Sequence, residues 1–442
     1  MALVSTSGER RFRPTGAPFR FAVLLFVSIL TFGSYFAYDS VGAIAPTLIE
    51  ALGLGRESIG QMYTLYSVAA ILSVFIGGIL IDRIGTRKAS LLFSALVTAG
   101  AAIVAIAPNL WVLYTGRFVF GWGSESLVVA QSAIISRWFK GKELALAFGI
   151  ALTISRLGTL FSFNTEELIS EYFGGFRMAL WAAVFFCVLS LLANLVYIIL
   201  DRKGEAALQL KDESAGDQIK IADVKKFHPS FWFVTLLCVT FYSAIFPFTA
   251  LSTDFFHDKW GLPLTAGTEG GFLYQVFYNI FHMFTTAGGT TTIIIFASMT
   301  LAPFFGRFVD RFGRRASMMI LGSALMIPAF LSMGFTMIPP AFPMILLGAA
   351  FVMVPAAMWP SIPLIVEKNR VGTAFGLCTM VQNVGLALFP WLNGLLRDTT
   401  QTYTASMLMF SALGVAGFVF ALLLKRADGR EGGNLERAGS PA

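Results

Sequence analysis

Charged residues are scarce in this sequence of 442 residues, making up 13% of it, whereas a soluble domain carries about 25%. Hydrophobic residues account for 56% of the chain, and its mean hydropathy is +0.73. So few charges cannot cover the surface of a water-soluble protein of this length. The composition therefore excludes an ordinary soluble protein and indicates an integral membrane protein with several spans.

Cysteine and histidine are also rare, with three residues of each. The cysteines fall in apolar segments at no metal-ligand spacing, so we expect buried free thiols and no metal site; they are Cys187, Cys238 and Cys378. The sequence contains neither a phosphate-binding loop nor a nucleophile–base pair. We therefore expect no catalytic residue and no cofactor, which excludes an enzyme and an ATP-driven pump.

What the sequence does contain is a series of twelve apolar segments, each long enough to cross a bilayer, which takes about 20 residues. Turn or charge signals separate them. The segments are 20–45, 58–81, 88–107, 110–136, 143–165, 176–200, 230–253, 290–309, 316–336, 342–366, 371–395 and 403–424.

Lysine and arginine alternate between the two sides of these segments. With a cytoplasmic N-terminus, 26 of the 32 basic residues fall in inner segments, four in outer segments and two within spans. This asymmetry predicts that both termini are cytoplasmic. The net charge of +7 then reflects topology and anionic headgroups, and it does not indicate a nucleic-acid partner.

A polar segment, 201–229, divides the spans into two sets of six. We predict an N-terminal bundle over 1–200, a cytoplasmic linker over 201–229, a C-terminal bundle over 230–424 and a cytoplasmic tail over 425–442. The fold class is thus all-α, with twelve transmembrane helices in two six-helix bundles.

One outer segment, 254–289, tests the count of spans because it contains the aromatic run GGFLYQVFYNIFHMFTT. A thirteenth span there would place the basic loop at 306–316 outside. We therefore expect an extended outer loop that carries an interfacial or lid helix.

The two sets of spans share a signature. Residues 78–88 read GILIDRIGTRK and residues 306–316 read GRFVDRFGRRA, each after the second span of its set. Internal repetition of this kind is typical of transporters built from related halves. The paired motif resembles the hallmark of the major facilitator superfamily, and this resemblance implies two six-helix bundles that work by alternating access.

Both copies of the motif carry acidic and basic residues beside a glycine turn at the cytoplasmic face. Carboxylates at helix ends could latch one conformation, or the basic residues could only anchor the topology. The gating and structural candidates are Asp82, Arg83, Arg87, Arg117, Asp310, Arg311 and Arg314.

Two opposite charges, Glu125 and Arg156, lie within adjacent spans and at similar depth, roughly 20 Å from the surfaces where those spans start. Charges there cost at least about 2.5–3.5 kcal/mol each, so they usually face a cavity and pair. Arg156 either binds a substrate carboxylate through its planar fork or only neutralises Glu125. Glu125 either accepts a substrate ammonium group or shuttles a proton. We read the pair as a binding site for a cargo charged at both ends.

Two further charges, Asp39 and Arg117, fall in the outer halves of their spans. They could form a structural ion pair, or Asp39 could join the site for an amine. Tyr38 and Gln131 complete the candidates for substrate binding in the N-terminal bundle.

The C-terminal bundle has no charge within a span. Its candidates for substrate binding are therefore polar: Tyr242, Trp359, Gln382 and Asn383. Trp359 lies in a span broken by three prolines, and broken helices often line a transport cavity. The adjacent amides of Gln382 and Asn383 would be costly against lipid.

Several stretches also resemble a subgroup of the superfamily, the lysosomal dipeptide uniporters. These are RFVFGWGSESLVVAQ, WFKGKELALAFGIALTISRLG and MWPSIPLIVEKNRVGTAFGLCTMVQNVGLAL, with FPFTALSTDFF as a weaker match. The resemblance implies that Arg156 binds the peptide carboxylate and Glu125 the amino terminus. The subgroup's acidic dileucine sorting signal is absent, which favours a bacterial inner membrane.

The first span lacks the Glu-x-x-Glu-Arg cluster of proton-coupled peptide symporters, so uniport is favoured. We expect a monomer in the lipid bilayer with a small peptide or amino-acid-like substrate and no nucleic acid. The alternatives are a transporter of single amino acids or organic anions, possibly proton-coupled, and a receptor or scaffold that does not transport.

Overall fold

The structure is a computed structural model that describes residues 16–139, 143–208, 227–267, 269–367 and 370–437. Over these ranges the regular structure is helical. The helices are α1 (Ala17–Ala43), α2 (Ala45–Leu52), α3 (Arg56–Ile106), α4 (Leu110–Phe139), α5 (Leu144–Phe173), α6 (Phe176–Leu208), α7 (Pro229–Ala250), α8 (Ser252–Trp260), α9 (Phe272–Phe281), α10 (Ala287–Thr291), α11 (Ile293–Phe312), α12 (Arg315–Phe335), α13 (Ala341–Ile365), α14 (Val371–Thr400) and α15 (Thr404–Glu431).

Eleven helical segments in the described part of the chain are long and apolar enough to cross a membrane. They match eleven of the twelve predicted spans. The remaining one, 58–81, is the first part of α3, which also contains the predicted span 88–107. The all-α class with spans in this order is confirmed.

A turn inside α3 separates the two predicted spans that this segment contains. Gly85 has φ 80° and ψ 158°, so the backbone kinks there. Gly313, at the same position of the second motif, has φ 68°. A side chain disfavours positive φ, and this is why glycine holds both turns.

The chain forms two compact units. Unit 1 comprises Met1–Tyr38, Leu72–Phe161 and Leu180–Ala215, and unit 2 comprises Asp39–Ile71, Ser162–Ala179 and Gly216–Ala442. Several long helices contribute residues to both. The predicted boundaries at 200 and 230 remain a prediction, since residues 209–226 of the linker lie outside the described part, as do the basic residues Lys140, Lys142 and Lys368.

In unit 1, α1 lies close against α5 and α6 through glycines. A Cβ on Gly158 of α5 would lie 2.4 Å from the Phe32 carbonyl oxygen of α1. A Cβ on Gly33 of α1 would lie 2.4 Å from the Phe186 carbonyl oxygen of α6. Backbones this close leave no room for even a methyl group, so small residues set the packing distance.

We expect Gly158→Ala to destabilise the protein by about 1–3 kcal/mol, because the added methyl group must push α5 away from α1. Gly149→Ala on the same helix is the matched control, since a Cβ there meets nothing within 4 Å. Thermal unfolding in detergent can be followed with a thiol-reactive dye, because all three native cysteines are buried. Equal unfolding midpoints for the two variants would contradict close packing of α1 and α5.

In unit 2, α7 lies beside α14 and α15, while α12 packs on α13 and α15 and α13 on α11. One hydrogen bond ties α7 to α14, from the Asn393 side-chain amide to the Pro247 carbonyl at 2.9 Å. The outer segment 254–289 contains α8, α9, one 3-10 turn and α10. Since α9 has 10 residues, it is too short to cross a bilayer.

Candidate functional site

Helix α1 aligns α4 and α5 through two buried hydroxyl pairs. Ser34 and Ser124 have their Oγ atoms 2.7 Å apart, which joins α1 to α4. The Oγ1 of Thr31 lies 2.6 Å from the Oγ of Ser155, which joins α1 to α5. These contacts fix the rotation of both helices about their axes.

The two pairs also set the height of the candidate charges. Glu125 follows Ser124 and Arg156 follows Ser155, and both charged residues are half-buried. Thr31 and Ser34 are three residues apart on α1, which is about 4.5 Å along its axis. Glu125 and Arg156 therefore lie within about one helical turn of each other in depth.

The environment of Arg156 is aromatic on one side. Its guanidinium carbon lies 5.5 Å from the centroid of the Tyr35 ring on α1. A guanidinium held against a ring keeps its planar fork pre-organised for a carboxylate. Tyr35 was not among the predicted substrate residues, although its position one turn before Tyr38 and Asp39 is a signal for it.

Gln131 is buried, and its amide nitrogen donates to the Val27 carbonyl and to the Thr31 hydroxyl, both at 3.0 Å. Both acceptors lie on α1. This arrangement lets Gln131 position the Thr31–Ser155 pair, whereas its predicted contact with substrate remains a prediction.

Arg117 is almost completely buried on α4. Its two terminal nitrogens donate to the carbonyls of Ala37 (3.1 Å) and Tyr38 (3.2 Å), and its guanidinium lies 5.5 Å from the Tyr38 ring centroid. Arg117 therefore holds the outer part of α1 just before the buried Asp39. This contact supports a structural role for Arg117.

In unit 2, three aromatic residues from three helices meet. The Trp359 indole nitrogen on α13 donates to the Tyr242 hydroxyl on α7 at 3.0 Å. The Trp359 ring also stacks on Phe375 of α14, with centroids 5.9 Å apart and an interplanar angle of 16°. The structure thus joins two predicted residues and adds Phe375, which no sequence signal distinguishes among 44 phenylalanines.

The adjacent amides on α14 differ in environment. Gln382 is half-buried, and its carbonyl oxygen lies 3.5 Å from the Cys238 sulfur on α7. Asn383 is buried, and its amide donates to the Thr379 carbonyl one turn earlier at 3.0 Å. Gln382 is therefore the more accessible of the two for a ligand.

The first motif forms a charge cluster within unit 1. Arg87 bonds to Asp201 and Glu205 at the inner end of α6, while Arg137 and the Trp138 indole also bond to Asp201. Asp82 and Arg83 themselves are exposed. The carboxylates facing Arg87 thus come from α6, a partner that the sequence analysis did not identify.

The second motif is fixed by the C-terminal segment. The backbone N–H groups of Arg314 and Arg315 donate to the carbonyls of Glu436 and Leu435, at 3.3 and 2.8 Å. Arg315, not Arg314, occupies the position of Arg87 in the repeat. Arg311 packs over Phe312, whereas the side chain of Asp310 lies outside the described part of the structure.

A further network in unit 2, absent from the sequence-based candidates, lies in the segments that the sequence analysis predicts to be outer. Arg56 at the start of α3 makes two hydrogen bonds to the carboxylate of Asp254 on α8, at 2.9 and 3.2 Å. The Tyr403 hydroxyl donates to the same carboxylate. Burial lowers the pKa of Arg56, but its hydrogen bond to Asp254 and the charge of Asp254 outweigh this and raise that pKa, so Arg56 stays charged.

The start of α3 is also hydrogen-bonded to α14. The Asp398 carboxylate accepts the backbone N–H groups of Arg56 and Glu57, at 3.0 and 2.8 Å, which satisfies donors at the helix N-terminus. Two glycines permit this contact, since a Cβ on Gly60 would lie 2.1 Å from the Pro390 carbonyl oxygen and one on Gly394 would lie 2.3 Å from that of Arg56. We call the contacts of Arg56 with Asp254 and Asp398 the outer clasp.

Two buried carboxylates, Glu166 and Glu167, were also not among the residues that the sequence analysis identified. The Ser40 hydroxyl donates to Glu166 at 2.7 Å, and the Thr47 hydroxyl donates to Glu167 at 2.7 and 2.8 Å. The predicted span stopped at 165, just before them, whereas α5 continues to Phe173.

Each unit carries groups suited to binding a ligand. Unit 1 presents an acid and a guanidinium at one depth, and unit 2 presents an aromatic cluster and a half-buried amide. Within the described residues no group of three or more His, Cys, Asp or Glu side chains could hold a metal ion.

Comparison with known proteins identifies related sequences and folds. The chain matches the Major Facilitator Superfamily over residues 27–287 and 270–441. It is 33% identical to the lysosomal dipeptide transporter MFSD1 of Danio rerio, covering 95% of this chain and 90% of that protein, and 31% identical to MFSD1 of Homo sapiens, covering 96% and 89%. The solved nucleoside transporter NupG superposes with a TM-score of 0.70 at 15% identity, covering 92% of this chain and 98% of NupG.

Proposed function

This chain belongs to the major facilitator superfamily and is a multi-pass membrane transporter; we propose that its cargo is dipeptides or other short zwitterionic peptides, carried by alternating access. The observation that carries this proposal is the placement of Glu125 and Arg156 at one depth, fixed by their hydrogen-bonded neighbours Ser124 and Ser155. The names of the relatives that match most of the chain support the same cargo.

Each terminus of a dipeptide then has a partner. The planar fork of Arg156 binds the carboxylate with two parallel hydrogen bonds. Glu125 accepts the ammonium group, and the half-buried positions of both residues allow water and substrate to reach them. A binding site of this kind recognises the two charged ends of the peptide. Other residues of the protein would contact the peptide side chains.

The aromatic cluster of unit 2 suits those side chains. Tyr242 and Trp359 present faces and edges that pack against apolar groups, and Gln382 adds a hydrogen-bonding group. Aromatic contacts can accept side chains of many kinds, while Glu125 and Arg156 bind the two charged ends. Such a site would allow many different peptides to be carried.

The outer clasp is suited to alternating access if the predicted sets of spans hold, because Arg56 falls in the predicted N-terminal set and Asp254 and Asp398 in the predicted C-terminal set. In the fold all three residues belong to unit 2. Closing it blocks the outer side, and breaking it would release the outer ends of the helices. We place the protein in a bacterial inner membrane with cytoplasmic termini, as a monomeric uniporter.

The cargo can be tested with the purified protein in detergent and in proteoliposomes. We expect free dipeptides to raise the unfolding temperature and to drive counterflow of labelled dipeptide. N-acetylated dipeptides and dipeptide amides should do neither at the same concentration, because each lacks one charge. Stabilisation by single amino acids or organic anions alone would assign the other cargo class, and absence of any saturable flux would support a receptor or scaffold.

The outer clasp gives a separate prediction. Asp254→Asn removes the charge that holds Arg56, so we expect the outer side to open more often, by roughly fivefold in population. A cysteine introduced at Thr64, whose hydroxyl lies against the Ala387 carbonyl of α14, should then react faster with an impermeant maleimide added outside.

Asp258→Asn is the matched control for this experiment. Asp258 lies on the same short helix and pairs with Arg397, but both residues belong to the C-terminal set of spans, so the pair does not bridge the two sets. Equal labelling rates for the Asp254→Asn and Asp258→Asn variants would contradict the assignment of the Arg56–Asp254 pair as a gate.

A further inference from the structure

Helix α9 presents its apolar side outward. Leu273, Phe277 and Phe281 are spaced four residues apart, which places them on one face, and they are 71%, 62% and 85% exposed. Phe284, just after the helix, is also exposed. The ten residues of α9 include no charged residue.

The opposite face of α9 is polar and turned toward the protein. Asn279 is its only fully buried residue. The Asn279 side-chain nitrogen donates to the Asn164 carbonyl on α5, and its oxygen accepts the Ala266 N–H at 2.6 Å. This polarity is the reverse of that in a water-exposed amphipathic helix, whose polar face lies outside.

The exposed face is continuous with the surfaces of spanning helices at both ends. Phe272 packs against Tyr172 and Phe173 at the end of α5, with ring centroids 5.3 and 5.0 Å apart. Phe284 packs against Phe296 of α11 at 6.0 Å, and Phe296 is itself exposed on a helix of spanning length. An apolar side chain that is exposed on a helix of spanning length is suited to contact with lipid.

We propose that α9 lies in the plane of the membrane, with Leu273, Phe277 and Phe281 inserted into the outer leaflet at the boundary between headgroups and acyl chains. An uncharged apolar stripe on a helix about 15 Å long fits this position, and a helix of that length is too short to cross the bilayer. Aromatic residues are also favoured at the membrane interface.

This placement has a consequence for α5. Since Asn279 is bonded to the backbone of Asn164, the outer end of α5 is attached to a helix held by lipid. The lipid interface then restrains the segment of α5 that carries the buried Glu166 and Glu167.

Fluorescence quenching tests the proposal on the full-length protein. Cysteines are introduced singly at Phe277 and Phe281, where high exposure means that little packing is lost, and each is labelled with the environment-sensitive dye NBD. The native cysteines are buried and remain unlabelled. The protein is reconstituted in phosphatidylcholine vesicles with or without a lipid carrying a doxyl group near the headgroup. Thr402→Cys, in the exposed polar turn before α15, is the control.

We expect blue-shifted emission at both α9 positions, with doxyl-lipid quenching several-fold stronger than at position 402 and weaker quenching by aqueous iodide. Iodide quenching equal to that at position 402 would overturn the proposal and indicate a water-exposed face awaiting a protein partner. Blue-shifted emission that neither quencher reduces would also overturn it, because it would show burial against protein, as in a lid or a second copy. Unchanged thermal unfolding confirms that the labelled variants are folded.

Discussion

Arg156→Ala is expected to weaken dipeptide binding by about 30-fold or more, since losing one partner of a hydrogen-bonded charge pair costs at least about 2 kcal/mol. Arg156→Lys should give an intermediate loss, because it keeps the charge but not the planar fork that binds both carboxylate oxygens. Peptide-dependent shifts in unfolding temperature, or calorimetric titration, measure the affinity.

Comparing the affinities of the wild type and the Arg156→Ala variant for a free and an amidated dipeptide separates the two roles proposed for Arg156. If its guanidinium binds the substrate carboxylate, the Arg156→Ala variant should lose affinity for a free dipeptide but lose almost nothing for the dipeptide amide. If Arg156 only neutralises Glu125, both ligands should lose affinity equally. Glu125→Gln is the reciprocal test. If Glu125 binds the ammonium group, this variant should lose affinity for a free dipeptide but almost none for the N-acetylated dipeptide.

The folding control for this cycle is the unfolding temperature without ligand. Removing the half-buried Arg156 side chain changes its packing and charge, which can lower stability by itself. Affinity differences are therefore compared between ligands on the same variant, where the folding cost cancels. Equal losses for the free and amidated peptides would refute substrate recognition by Arg156.

The spans could be predicted from the sequence because their signal is local. A run of about 20 apolar residues crosses a bilayer whatever its neighbours do, and the basic residues between runs indicate the sides. This is why α12, α13 and α15 begin within one residue of the predicted starts. The glycine at position 85 indicated a turn, and the backbone is non-helical there.

Helix α5 shows where the local signal fails. The predicted span ended at 165 because two acidic residues follow, and carboxylates usually terminate an apolar segment. In the structure the hydroxyls of Ser40 and Thr47 bond to Glu166 and Glu167, so the helix continues with both carboxylates buried. These partners are more than a hundred positions away, and nothing near 165 indicates them.

Some residues of the candidate site could be predicted from the sequence and others could not. Glu125 and Arg156 could be identified because an isolated charge in an apolar run is conspicuous. The hydroxyl pairs that align them, Ser34–Ser124 and Thr31–Ser155, involve residue types that are common in helices and become distinctive only when packed. The outer clasp was missed because its charges lie near span ends, where a charge is ordinary, and because Arg56 and Asp254 are 198 positions apart.

The partner of Arg87 could not be identified from the motif alone. The motif suggested a latch in which a carboxylate meets a facing helix N-terminus or an arginine, and the structure places Arg87 on Asp201, 114 positions later. Asp201 is completely buried and also bonds to Arg137 and the Trp138 indole. A single carboxylate near the end of α6 thus joins the part of α3 just after the Gly85 kink to the end of α4.

Asp201→Asn is therefore expected to destabilise the protein by about 3 kcal/mol or more, because it leaves two guanidinium groups without their shared buried counter-ion. An amide has the same shape and can still accept a hydrogen bond from Trp138, so the change isolates the charge. The loss should appear as a lower unfolding temperature, followed by reaction of the buried native cysteines with a thiol-reactive dye.

Glu205→Gln is the matched control, since Glu205 bonds to the same Arg87 but is 38% exposed. Exposed ion pairs contribute about 1 kcal/mol or less, so the unfolding temperature of this variant should stay close to that of the wild type. If Asp201→Asn and Glu205→Gln lowered stability equally, Asp201 would not be the centre of the cluster, and exposed pairs along the motif would hold the inner ends of the helices together. Because a buried charge costs free energy unless it is paired, we expect the two variants to differ clearly.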